Sequence, residues 1–142
     1  MTLIERVQAL YNDLGPNNVS RDRLSELYDD DVVFIDPMHR IEGLDALAHY
    51  FAGLYQNLTD IEFRYLSHWA NDHEAVLRWE MTYRHPKIAK GRAITLPGVT
   101  FLQFDDRIRR HQDYFDSNQM LFDHLPIIGP VLGWLKSRLN SD

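Results

Sequence analysis

Tyr28-Asp29-Asp30-Asp31-Val32-Val33-Phe34-Ile35-Asp36-Pro37 is the stretch on which the reading of this chain turns. Its β-branched and aromatic run, Val32 to Ile35, has the composition of a strand, and Asp36-Pro37 closes it, because proline brings no backbone donor to a ladder. Asp36 therefore stands where a strand gives way to a loop, a place from which a carboxylate can act as an active-site base. The acidic residues before the run, Asp29 to Asp31, read as a solvated turn, since three consecutive side chains cannot all point at one cation.

Working outward, Leu3, Val7, Leu10, Tyr11 and Leu14 recur at helical spacing, and Gly15-Pro16-Asn17-Asn18 stops that helix. Ser20 can cap a short second helix carrying Leu24, Leu27 and Tyr28. From Gly43 onward, Leu44, Leu47, Phe51, Leu54 and Leu58 mark one stripe of a long helix. The period then changes to two: Phe63-Tyr65 and Val76 to Arg84 read as strands joined near Asn71-Asp72 in a hairpin. Ala93 to Phe104 and Ile108 to Phe115 supply two more, with only Asp105-Asp106 between them. Helices followed by a run of antiparallel strands predict an α+β fold.

With 142 residues the chain has the length of one domain, spanning 1–142. The formal net charge of -6 lacks the basic footprint that a nucleic-acid partner demands. There is no cysteine, hence no disulfide framework or thiolate zinc site, and no run of roughly 20 apolar residues for a membrane span. A cytoplasmic protein is the default expectation.

Alternation along a strand puts Leu77, Trp79, Met81, Tyr83 and His85 on one face and Arg78, Glu80, Thr82 and Arg84 on the other. The same parity groups Arg109, His111, Asp113 and Phe115, so the apolar face carries an imidazole and a carboxylate. Either these two hydrogen-bond each other as a satisfied buried pair, or they form the polar floor of an apolar pocket.

These residues resemble the NTF2-like superfamily, in particular its ketosteroid-isomerase and SnoaL-like polyketide-cyclase branches, over essentially the whole chain. The resemblance implies a curved antiparallel sheet wrapped around the N-terminal helices as a cone, and a homodimer. The segment Tyr28 to Pro37 followed by Gly43 is similar to the ketosteroid-isomerase segment in which the Asp before Pro is the general base, which falls on Asp36. Tyr11 sits about where that branch carries its oxyanion-stabilising Tyr, while its second, acidic donor falls on Thr100, which can donate only as a hydroxyl. In the SnoaL-like branch the acid/base is an Asp on the last strand, and His111-Gln112-Asp113-Tyr114-Phe115-Asp116 looks like it, which falls on Asp113. An epoxide-hydrolase branch needs an Arg where this chain has Gly98.

The resulting expectation is proton abstraction next to a carbonyl of a small hydrophobic substrate. Asp36 or Asp113 would be the base, His111 would tune or relay, and Tyr11 would bind the enolate oxygen. Phe34, Trp79, Met81 and Phe115 would line the pocket, with Tyr83, His85 and Thr100 as further substrate contacts. The alternative is a pocket that binds without reacting. No cofactor or metal is expected: His85, His111 and Asp113 offer a two-histidine, one-carboxylate set, but seven scattered histidines make such a set cheap. Beyond the last strand, Pro130 can open a helix bearing Val131, Leu132, Trp134, Leu135 and Leu139, for which a lid over the pocket mouth comes before a dimer contact and a membrane-surface contact.

Overall fold

The computed structural model describes residues 1–116; the C-terminal helix expected from Pro130 lies outside the described residues. Helix α1 (Leu3–Asp13) opens on a capping box in which the Thr2 hydroxyl accepts from the Glu5 N–H and the Glu5 carboxylate accepts from the Thr2 N–H, each at 3.2 Å. Helix α2 (Arg21–Ser25) is capped by Ser20, whose hydroxyl accepts from the Arg23 N–H. Strand β1 (Tyr28–Ile35), the short β2 (Arg40–Glu42), helix α3 (Leu44–Gln56), then β3 (Asp60–Ala70), β4 (Glu74–Arg84), β5 (Ile94–Phe104) and β6 (Ile108–Phe115) follow. Gly43, at φ +93°, makes the bend from β2 into α3 while its N–H bonds the Val32 carbonyl at 2.8 Å.

The six strands form one sheet in the order β2-β1-β6-β5-β4-β3. Helix α3 packs against β1 and α1 against β3. The core between them holds Leu77, Trp79, Met81 and Tyr83 from one face of β4, together with Leu10 and Tyr11 of α1 and Leu47, Phe51 and Tyr55 of α3. The α+β class and the face parity of β4 are as expected from the sequence.

Several expectations need correction. The sheet is mixed, because β6 returns alongside β1 in parallel, with Phe34 opposite His111. Asp29 to Asp31 are not a turn but the first part of β1, and Tyr28 belongs to that strand instead of α2. Two of the three charges are offset by arginines from outside the strand: Arg107 Nε lies 3.2 Å from Asp29 Oδ1, and Arg21 Nη2 lies 3.7 Å from Asp30 Oδ1. The residues on either side are in register with β6, Tyr28 opposite Ile108 and Val33 opposite Arg110, and this pairing, which local propensity does not register, frames the acidic stretch. β2 has no composition signal in its three residues; it exists because Asp36-Pro37 turns the chain back so that Arg40 to Glu42 pair with Val33 to Ile35. The β5–β6 turn also includes Arg107, and the register shift beside it breaks the parity of Arg109, which is exposed and paired with Asp105 at 2.9 Å. Helix α3 ends at Gln56, two residues short of Leu58.

Candidate active site

Strand register builds the site. Thr100 on β5 stands directly opposite Asp113 on β6, Gly98 stands opposite both Trp79 and Phe115, and Phe34 stands opposite His111. Directly opposed side chains on one face come within contact distance, so this register alone gathers residues far apart in sequence. The Trp79 indole folds over Gly98, where the missing side chain leaves room, and its N–H donates to the Thr100 hydroxyl at 2.8 Å. The Thr100 hydroxyl in turn donates to Asp113 Oδ1 at 2.6 Å.

The same carboxylate oxygen lies 2.8 Å from His111 Nε2, and the other imidazole nitrogen, Nδ1, lies 2.8 Å from the Tyr28 hydroxyl. Tyr28 is itself 2.6 Å from the Tyr11 hydroxyl. His111, 2 % exposed, is thus one link in a buried chain from α1 through β1 to β6. The Phe34 ring packs over it with centroids 4.7 Å apart. Burial holds the Tyr11 and Tyr28 phenols well above their ordinary range, so both stay protonated and able to donate near neutral pH.

Asp36 is held differently. Its Oδ1 accepts from the backbone N–H groups of Met38 and His39 at 2.9 and 2.8 Å, and lies 3.1 Å from His39 Nδ1. Its Oδ2 accepts from the Tyr50 hydroxyl at 2.9 Å. This is an Asp-Pro turn that closes the β1–β2 connection, with the carboxylate 6 % exposed and both oxygens occupied.

A cavity of about 480 Å³ lies between α3 and the sheet, and Asp36 and Asp113 both border it. Tyr11, Phe34, Trp79, Met81 and Phe115 line it, as does Tyr55 from α3. Eight of its eighteen described lining residues are Phe, Tyr or Trp, and none is Lys or Arg; Asp36, Asp113, His39, His49 and Asn57 are the polar points of a mainly apolar wall. Not every expected contact is there. Thr100 and His111 stand behind the wall and act on Asp113; Tyr83 is buried in the core and is not among the described lining residues; and His85, past the end of β4, accepts the Lys87 N–H at 3.0 Å. His85, His111 and Asp113 do not converge, and no group of three such side chains among the described residues is placed to hold a metal.

Sequence reasoning missed Tyr28, His39, Tyr50 and Tyr55. Tyr55 carried a signal, being one helical turn from Phe51, and Tyr28 would have carried one had the strand been started early enough to share a face with Val32 and Phe34. His39 and Tyr50 carried none, since only the turn geometry brings them to Asp36.

The model of the SnoaL-like domain matches residues 7–111. The chain belongs to the SnoaL-like family. A comparison with curated protein sequences returns no match. Among solved structures, this SnoaL-like chain is similar to a protein assigned as a SnoaL-like polyketide cyclase from Jannaschia sp. CCS1, with TM-score 0.70 and 17 % identity over 81 % of this chain and 85 % of that one. A second protein so assigned, from Shewanella denitrificans OS-217, gives TM-score 0.68 and 23 % identity over 86 % and 96 %. A protein with a ketosteroid isomerase-like fold from Catenulispora acidiphila, solved in complex with trimethylamine, gives TM-score 0.70 and 13 % identity over 82 % and 87 %. At these identities the structures establish the NTF2-like fold alone. The match of the SnoaL-like model reaches His111 and stops two residues short of Asp113.

Proposed function

We propose that this SnoaL-like protein is an acid/base catalyst acting next to the carbonyl of a small, largely apolar compound, with Asp113 as the base. One contrast carries the reading: both oxygens of Asp36 are occupied by donors, whereas among the described residues the donors to Asp113 gather on Oδ1 and its carboxylate borders the aromatic cavity with 19 % of its side chain exposed. Thr100 and His111 fix the direction of the carboxylate, so a carbon acid held in the cavity meets a base already oriented. The α C–H bond breaks, its proton passes to Asp113 Oδ2, and the electron pair forms the enolate. Returning the proton to another carbon completes an isomerisation. Attack of the enolate carbon on a second carbonyl forms a C–C bond, and the proton then goes to the new alkoxide, completing an aldol cyclisation. Asp36 in this reading is a positioning residue that closes the turn and seats His39 and Tyr50 at the cavity rim.

The test is exchange of the α-hydrogens of 2-tetralone with deuterated water, followed by mass spectrometry. Catalysed exchange that disappears in Asp113→Asn supports the reading; binding without catalysed exchange sinks it.

A second reading is favoured by the charge of the wall. Two carboxylates, eight aromatic side chains and no Lys or Arg among the described lining residues suit an organic ammonium ion held by cation–π contact without reaction. The trimethylamine carried by the Catenulispora acidiphila protein is a ligand of that type. Calorimetric titration with trimethylamine against neutral isobutane-like ketones separates the two.

A further inference from the structure

Tyr11 was the hydroxyl expected to bind a substrate oxygen, yet it is already paired with the Tyr28 hydroxyl at 2.6 Å. With the His111 imidazole neutral, Nε2 must carry the hydrogen that reaches Asp113 Oδ1, because a carboxylate only accepts. Nδ1 is then an acceptor, so Tyr28 donates to it, and the Tyr28 oxygen is left to accept from Tyr11. In that donor order Tyr11 spends its hydrogen on Tyr28 and presents lone pairs to the cavity.

Tyr55 differs in each respect. It lines the cavity from α3, it is 2 % exposed, and among the described residues its hydroxyl has no hydrogen-bond partner. No fully enclosed side-chain oxygen in the described structure goes without a partner, so the small exposed remainder of Tyr55 places its oxygen on open cavity space. A buried hydroxyl in that position gains most by meeting a ligand acceptor.

On the reading that the cavity takes a carbonyl compound, we propose that Tyr55, and not Tyr11, donates the hydrogen bond to the substrate oxygen on which negative charge develops. Burial, with the Asp113 carboxylate adding to it, holds the Tyr55 phenol above its ordinary range, so it stays a donor across neutral pH. Asp113 and Tyr55 then divide the work: one takes the proton from carbon, and the other holds the oxygen that receives the charge.

The experiment is infrared spectroscopy of 2-acetylnaphthalene labelled with carbon-13 at its carbonyl, bound to wild type, Tyr55→Phe and Tyr11→Phe. Tyr55→Phe deletes an oxygen without a protein partner, so it leaves no buried group stranded and the variant folds. The proposal expects the bound carbonyl band to be red-shifted in wild type and Tyr11→Phe. It expects the shift to be lost in Tyr55→Phe, with roughly a three- to tenfold weaker affinity, as one hydrogen bond implies. A shift lost in Tyr11→Phe and kept in Tyr55→Phe overturns it, as does wild-type binding with no shift. A ketone that does not bind at all removes the cavity reading and this proposal together. Loss of catalysed proton exchange with the band shift intact counts against the Asp113 reading alone.

Discussion

Trp79 and Gly98 are in such close approach that a Cβ on residue 98 would fall 2.1 Å from Cη2 of the Trp79 ring. The two face each other across β4 and β5, and the ring uses the space to reach Thr100 and, through it, Asp113. The absence of a side chain at one residue thus fixes the carboxylate two contacts away. It also explains why this chain has no room for the Arg of the epoxide-hydrolase branch at that place.

Gly98→Ala is accordingly expected to displace the indole and break its bond to Thr100. Overpacking of this kind costs about 1–3 kcal/mol and the lost hydrogen bond about 1 kcal/mol more. Urea titration monitored by tryptophan fluorescence measures both the loss and the altered environment of the ring. A variant as stable as wild type, with unchanged emission, contradicts the packing described.

Tyr28 joins Tyr11 to His111. Tyr28→Phe leaves a buried imidazole nitrogen without its donor, at a cost of about 1–3 kcal/mol. Nitrogen NMR of the His111 ring reads the arrangement directly: in wild type Nε2 carries the hydrogen and Nδ1 accepts, and in the variant only the Nδ1 signal shifts strongly. A hydrogen on Nδ1 in wild type, alone or together with one on Nε2, would overturn the donor order assigned to the chain.

Several buried phenols make stability depend on alkaline pH. Burial raises Tyr11, Tyr28 and Tyr55 above the ordinary value of 10.0, so above that pH the unfolded chain releases protons that the folded protein retains. Fewer protons bound in the unfolded state means stability falls as pH rises, and the loss begins at about pH 10 with none below it from this source. Urea midpoints measured between about pH 7 and 11 are expected to be flat and then to drop. Tyr55→Phe, which removes one of these groups, is expected to lose less over the same interval; a steeper drop than wild type contradicts the assignment.

Much of this was legible in the sequence for physical reasons. The stripe through Leu44, Leu47 and Phe51 defines α3 because a helix must bury one side, and the alternation from Leu77 to Tyr83 defines the inner face of β4. Asp113 and His111 stood out because polar groups sat on an apolar face. What stayed hidden depends on pairing or turn geometry. Asp29 to Asp31 look like loop residues until Arg107 and Arg21 are brought beside them. Asp36-Pro37 has the same composition whether its carboxylate is a free base or, as here, the lock of a turn tied by Met38, His39 and Tyr50. Parity placed Thr100 on no particular wall, and only its register opposite Asp113 gives it a partner.

Asp36 and Asp113 border one cavity, so the account turns on which of them moves the proton. The most direct measurement compares deuterium exchange into 2-tetralone by wild type, Asp113→Asn and Asp36→Asn, each checked for folding by circular dichroism. The account predicts that Asp113→Asn loses about 10²-fold or more of the catalysed rate, the scale of a removed general base. Asp36→Asn is predicted to keep catalysed exchange while losing about 1–3 kcal/mol of stability, as a disrupted buried hydrogen-bond set implies. Exchange that survives in Asp113→Asn, or that vanishes in a folded Asp36→Asn, would contradict it.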